Sequence, residues 1–81
     1  MFEIKWTEKS LHELDKLEQN ISRRIIKKVD ELMNNPYSME IKKLKGLNAF
    51  RLRIGDYRVI FEIERDLITI LKVGHRRNIY D

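Results

Sequence analysis

The chain reads as an α+β fold of order β-α-α-β-β-β, an antiparallel sheet with a helical hairpin packed on one face. Three observations predict it. Apolar residues recur at helical spacing only between Thr7 and Pro36, an alternating segment precedes them, and three closely spaced β-rich runs follow. Such an order leaves one sheet face covered by helices and the other free. The 81 residues suit one domain, 1–81, well below the size at which chains divide into two cores.

Phe2 to Trp6, FEIKW, alternates apolar and polar residues and reads as a short strand. Thr7 offers an N-cap to a helix with Leu11, Leu14 and Leu17 on one stripe. Asn20 or Ser22 offers the next cap, for a helix whose Ile21, Ile25, Ile26, Val29, Leu32 and Met33 share a face, and Asn34-Asn35-Pro36 stops it. Both stripes read as core, with no spacing that suggests a cofactor site. After a polar connection, AFRLRI, YRVIFEI and LITILKV are three consecutive strands of a meander.

Register follows from turn chemistry. Gly55-Asp56 is a two-residue hairpin turn, so Ile54 pairs with Tyr57. Leu52 then opposes Val59 and Phe50 opposes Phe61 on the face toward the helices. On the other face Arg53 stands opposite Arg58, and Arg51 lies beside Ile60. Like charges opposed across a ladder are destabilising on the scale of cross-strand pairs, about 0.2–1 kcal/mol. Folding alone gives no reason for them.

For the last strand, a two-residue loop would put Lys72 in the core opposite Val59. A three-residue loop, Glu64 to Asp66, puts it opposite Arg58 and is the expected one. Arg51, Arg53, Arg58, Lys72 and Arg76 then share one face, with Glu62 diagonal to Arg51 as the nearby acid, while His75 points to the opposite face. Any one of these cations reads most simply as a solvated surface charge. Together, with a direct Arg/Arg opposition, they indicate a site kept open for an anionic ligand.

Charge distribution agrees. Residues 1–41 carry seven Lys/Arg against eight Asp/Glu, whereas residues 42–81 carry ten against five, so the formal net charge of +4 resides in the C-terminal half. A polyanion is the natural partner for such a surface, since contacts to phosphates release condensed counterions. With no cysteine there is no disulfide, thiolate metal site or thiol nucleophile, and no Gly-rich phosphate loop occurs. No apolar run approaches about 18 residues and the start lacks a signal-peptide core, which makes the cytoplasm the expected location and a membrane partner unexpected.

The segment KKLKGLNAFRLRIGDYRVIFEI together with the ending VGHRRNIYD resembles the RelE/ParE superfamily of bacterial and archaeal toxins. KLxG, paired basic residues, GxYR and VGxRxxxY fall in the family's order across essentially the whole chain, with a basic, tyrosine-bearing tail closer to the RelE branch. The resemblance implies a microbial-ribonuclease fold and a ribosome-dependent endoribonuclease that cuts mRNA in the A site without metal or other cofactor. It also implies a cognate antitoxin that neutralises the toxin, which is monomeric alone and hetero-oligomeric with that partner. Carried over by position, the catalytic group comprises Arg51, Arg53, Arg58, Arg76 and Tyr80, with His75 as a candidate acid or base. Lys43, Lys45, Lys72 and Arg77 are expected to bind RNA.

Metal-free cleavage requires a deprotonated 2′-OH, a stabilised phosphate and a protonated leaving oxygen. Arg58 and Arg76 suit the phosphate, and Tyr80 suits a base or the 2′-OH. Some relatives have lysines where this chain has Arg51 and Arg53, and guanidinium is a poor proton acceptor. That departure leaves the general base open, with His75 the candidate that the tail offers. Two alternatives share the fold: a ParE-like inhibitor of DNA gyrase and a catalytically inactive binding member.

Overall fold

The computed structural model describes residues 1–37, 40–45 and 48–79. After strand β1 (Glu3–Trp6), Thr7 caps helix α1 (Glu8–Asp15) as its side chain predicts, its hydroxyl oxygen accepting the Ser10 N–H at 3.1 Å. The same hydroxyl donates to the Ile70 carbonyl at 2.8 Å, which ties the start of α1 to the sheet. Helix α2 (Gln19–Glu31) starts earlier than the expected caps. Its N-cap, Glu18, makes no side-chain capping bond, and Asn20 and Ser22 lie within the helix, where Ser22 Oγ donates to the Gln19 carbonyl at 3.0 Å. Tertiary packing of the apolar face, rather than a cap, fixes this start.

The remaining elements are strands β2 (Ile41–Lys43), β3 (Ala49–Ile54), β4 (Tyr57–Glu64) and β5 (Leu67–His75), in sheet order β1-β5-β4-β3-β2. Two features differ from the expected topology. The segment read as a polar connection contains β2, antiparallel to β3 with Lys42 opposite Arg51. The strand is three residues long, too short for alternation to register. At the other edge β1 runs parallel to β5, Ile4 beside Ile68 and Trp6 beside Ile70, so the sheet is mixed rather than wholly antiparallel.

The central hairpin has the expected register, Ile54 opposite Tyr57 through Phe50 opposite Phe61. Gly55, at φ 58°, supplies the positive φ its tight turn requires. The β4–β5 hairpin does not follow the expected three-residue loop. Glu64 pairs with Leu67 across a two-residue turn in which Arg65 itself adopts φ 56°. That register alone would send Lys72 inward. A bulge corrects it: Phe61 faces Ile70 but Ile60 faces Lys72, so Leu71 has no opposite residue and the parity of β5 reverses beyond it.

The helices cover one sheet face. Ile25 and Val29 of α2 and Leu14 of α1 meet Leu52, Val59, Phe61, Ile68, Ile70 and Val73, with Phe50 stacked on Phe61 at a centroid distance of 5.5 Å. The expected Leu11–Leu14–Leu17 stripe is only partly internal: Leu14 is buried and Leu17 packs on the core, but Leu11 is 48% exposed and Ser10 is buried in its place. The second sheet face is not wholly open either. Ala49, Ile60 and Ile79 are buried there with Leu44 and Leu71 against them, because the chain turns after β5 and lays Ile79 back across Gly74.

Candidate nucleic-acid interface

Strand pairing assembles the charged face row by row. One row runs Lys42, Arg51, Ile60, Lys72 across four strands, and the next runs Arg53, Arg58, Gly74. Side chains in one row stand on the same face, so the sheet itself gathers Arg51, Arg53 and Arg58. The bulge brings Lys72 to this face, where the expected register also put it, by a different route. Leu71, the residue it leaves unmatched, joins the small apolar cluster between the cations.

Arg58 is the centre of the group. Its Nη1 donates to the carbonyls of Gly55 at 2.8 Å and Tyr57 at 2.9 Å, which folds the guanidinium back over the hairpin and holds it in one orientation. Partial desolvation lowers its pKa, and the charges of Arg51, Arg53 and Arg76 lower it further, against a smaller opposing effect of Asp56. The depression records the crowding of guanidinium groups that the register implied. Among the described residues, two exposed acids approach the group: Glu40 Oε2 lies 3.5 Å from Arg53 Nε, and Asp56 Oδ1 lies 3.8 Å from Arg76 Nε. Exposed pairs of this kind contribute about 0–1 kcal/mol each, and these two engage Arg53 and Arg76.

Arg76 lies just beyond β5, in the turn closed by the Asn78 N–H on the His75 carbonyl at 2.8 Å. Its own N–H donates to the Asp56 carbonyl at 2.8 Å, so the β3–β4 turn holds the residue beside Arg58. Arg77 is exposed in the same turn. His75 stands across from Tyr57, their rings 5.4 Å apart and edge to face, on the helix side of the sheet. Its Nδ1 accepts the Arg77 N–H at 3.2 Å. Tyr80 lies outside the described residues.

Of the lysines expected to bind RNA, Lys72 joins the arginines, whereas Lys43 pairs opposite Phe50, whose ring packs into the core beneath the helices. Lys45 is exposed just past β2. The cation that sequence reasoning missed is Lys42, the neighbour of Lys43. Its strand, β2, is too short for alternation to assign it a face from sequence. Among the described residues, no group of three or more His, Cys, Asp or Glu side chains is placed to hold a metal ion, and no helix is long and apolar enough to cross a membrane.

Fold and site together define a small α+β protein with a polycationic sheet face centred on Arg58. The sequence profile described as "ParE toxin of type II toxin-antitoxin system, parDE" matches residues 4–80. Toxin RelE3 of Methanocaldococcus jannaschii is 39% identical over 67 residues, which cover 76% of each chain. A chain of the RelB-RelE antitoxin-toxin complex from Methanococcus jannaschii superposes with a TM-score of 0.78 at 31% identity, with 95% of each chain covered. A chain of the archaeal RelE-RelB complex from Pyrococcus horikoshii OT3 gives 0.82 at 29% identity, covering 96% of this chain and 98% of that one. The chain belongs to the RelE/ParE family, the toxins of type II toxin–antitoxin systems.

Proposed function

We propose that this toxin is a metal-independent endoribonuclease that cuts mRNA in the ribosomal A site and thereby stops translation. The observation that carries the reading is the crowding of Arg51, Arg53 and Arg76 around the oriented guanidinium of Arg58. In the reaction the 2′-oxygen forms a bond to phosphorus as the bond to the 5′-oxygen breaks, and the proton lost by the 2′-OH is matched by one gained at the 5′-oxygen. Charge builds on the non-bridging oxygens, and guanidinium forks fixed beforehand stabilise it without reorganising. Arg58 and Arg76 take that role, Arg51 and Arg53 hold the flanking backbone, and Lys42, Lys72 and Arg77 extend the phosphate track. Tyr80 stacks on a base or orients the 2′-OH. His75, on the other side of β5, is not placed to act directly on a phosphate held by Arg58, so catalysis by this face is chiefly electrostatic.

In this reading the cytoplasm is the site of action and the ribosome presents the substrate. Relatives solved as RelB-RelE complexes support a cognate antitoxin as the protein partner; in this reading the toxin released from it acts as a monomer. The match to the ParE description favours a second reading, inhibition of DNA gyrase. Both are tested by incubating the purified toxin with mRNA, with and without programmed ribosomes, and in parallel with gyrase in a supercoiling assay. Cuts that need ribosomes and fall within the A-site codon, with supercoiling unaffected, are expected. Intact message and blocked supercoiling would reverse the assignment.

A further inference from the structure

A hollow of about 330 Å³ lies along the outer edge of β5, and the phosphate chemistry above does not use it. Its apolar walls are Leu17, Tyr57 and Ile79, and its polar groups include Glu13, Lys16 and His75. It exists because β1 pairs with β5 only as far as Ile70, which leaves the upper half of β5 as an edge. There the outward N–H of Val73 donates to Glu13 Oε1 at 2.9 Å, so a carboxylate from α1 is held against the strand.

We propose that this hollow binds one unpaired nucleobase next to the phosphate held by the arginines; the proposal deepens the ribonuclease reading and rests on it. The volume is at the small end of ligand pockets, about 300–1,000 Å³, and suits a single base better than a peptide segment. The hollow is also continuous with the cationic face. Lys72 and Gly74 line it, and Gly74 is the cross-strand partner of Arg58, their Cα atoms about 5 Å apart, so the hollow lies one strand from the position of Arg58. Unpaired RNA bases are held by stacking on aromatic rings and by hydrogen bonds to their Watson–Crick edges, and Tyr57 and His75 supply the rings.

Glu13 supplies the selectivity. An ionised carboxylate is acceptor-only with about four acceptor sites, and Val73 uses one of them. It therefore selects N–H donors on the base edge. Guanine is the base that presents two of them side by side, and Lys16 at the rim complements its carbonyl.

The test is an ¹H–¹⁵N NMR titration of the full chain with each of the four nucleoside 5′-monophosphates, repeated with Glu13→Gln. The glutamine keeps an oxygen for the Val73 N–H but presents an NH₂ donor in place of the second oxygen. All four nucleotides are expected to move the Arg58 and Gly74 amides through their phosphate. GMP is expected to bind at least about five-fold more tightly than UMP, the lower bound for one bidentate base contact, and to move Val73 and His75 as well. Glu13→Gln should abolish the preference while phosphate binding persists. Equal affinities in the wild type, unmoved Val73 and His75 resonances, or an unchanged preference in a folded Glu13→Gln each overturn the proposal. If Glu13→Gln does not fold, the wild-type titration alone decides. Base preference without mRNA cleavage would reject the nuclease reading and keep the pocket, and cleavage without base preference would do the reverse.

Discussion

Arg58 shows how a residue unfavourable for folding is kept in place. It is half-buried, opposed across the ladder by Arg53, and its pKa is lowered by desolvation and then by Arg51, Arg53 and Arg76. A cation whose folded pKa lies below its unfolded one costs stability wherever it is charged, and the cost is relieved only as pH rises through the folded value. For a guanidinium that window is far above neutrality, so the penalty is constant from about pH 6 to pH 9. An anion relieves it instead. Phosphate should raise the melting temperature of the wild type more than that of Arg58→Leu, and calorimetry at matched ionic strength separates this specific effect from general salting-out. Equal shifts in the two proteins would mean that the face binds no phosphate. The Arg53–Arg58 opposition was legible in the sequence because Gly55-Asp56 fixes the hairpin. Their counter-ions were not, since Glu40 reaches Arg53 only through the pairing of β2, and Asp56 reaches Arg76 only through the turn after β5.

At the level of elements, β5 is where sequence and structure part. Parity and polarity correctly put Lys72 with the arginines, but the mechanism is a bulge, and no periodicity rule reports a single unmatched residue. The tight turn was equally hidden, because Arg65 occupies a left-handed conformation that favours glycine. Arg65→Gly should therefore stabilise the fold by about 0.5–1 kcal/mol, the relief of backbone strain less the added chain entropy. Gly55→Ala should cost about 1–2 kcal/mol, since φ is 58° there and a Cβ would stand 2.9 Å from Arg24 Nη2. Urea denaturation measures both. The upper half of β5 depends on Glu13 for the Val73 N–H. Glu13→Ala should cost about 1–3 kcal/mol and speed hydrogen exchange at Val73, with Glu13→Gln restoring protection. The existence and order of the helical hairpin and the three-strand meander needed no such detail, because their apolar stripes and the Gly55-Asp56 turn declared them, while β2 was too short and β1 too far away in sequence for its parallel partner to be read.

Across the whole molecule, the fold divides its surfaces by task. The helices and one sheet face make the core, and the basic C-terminal half turns its charge to the other face, where Ile79 folds back over Gly74 beside the arginines. Much of this division was visible in the charge distribution, because a net positive half-sequence arranged as an amphipathic meander has only one face on which to put its cations. RNA affinity should accordingly fall steeply with salt, with a slope of about −0.7 per phosphate contacted, and Lys42→Ala should lower that slope by about one contact. Filter binding between low and moderate salt checks it, and an unchanged slope would remove Lys42 from the track. The most direct test of the central claim is to map cut sites on ribosome-bound mRNA for the wild type, Arg58→Ala, Arg76→Ala and Lys28→Ala, the last an exposed cation on α2. The cationic face as the catalytic surface predicts that Lys28→Ala cuts like the wild type while each arginine variant loses about 10²–10³ in rate. Undiminished cutting by both arginine variants would contradict it.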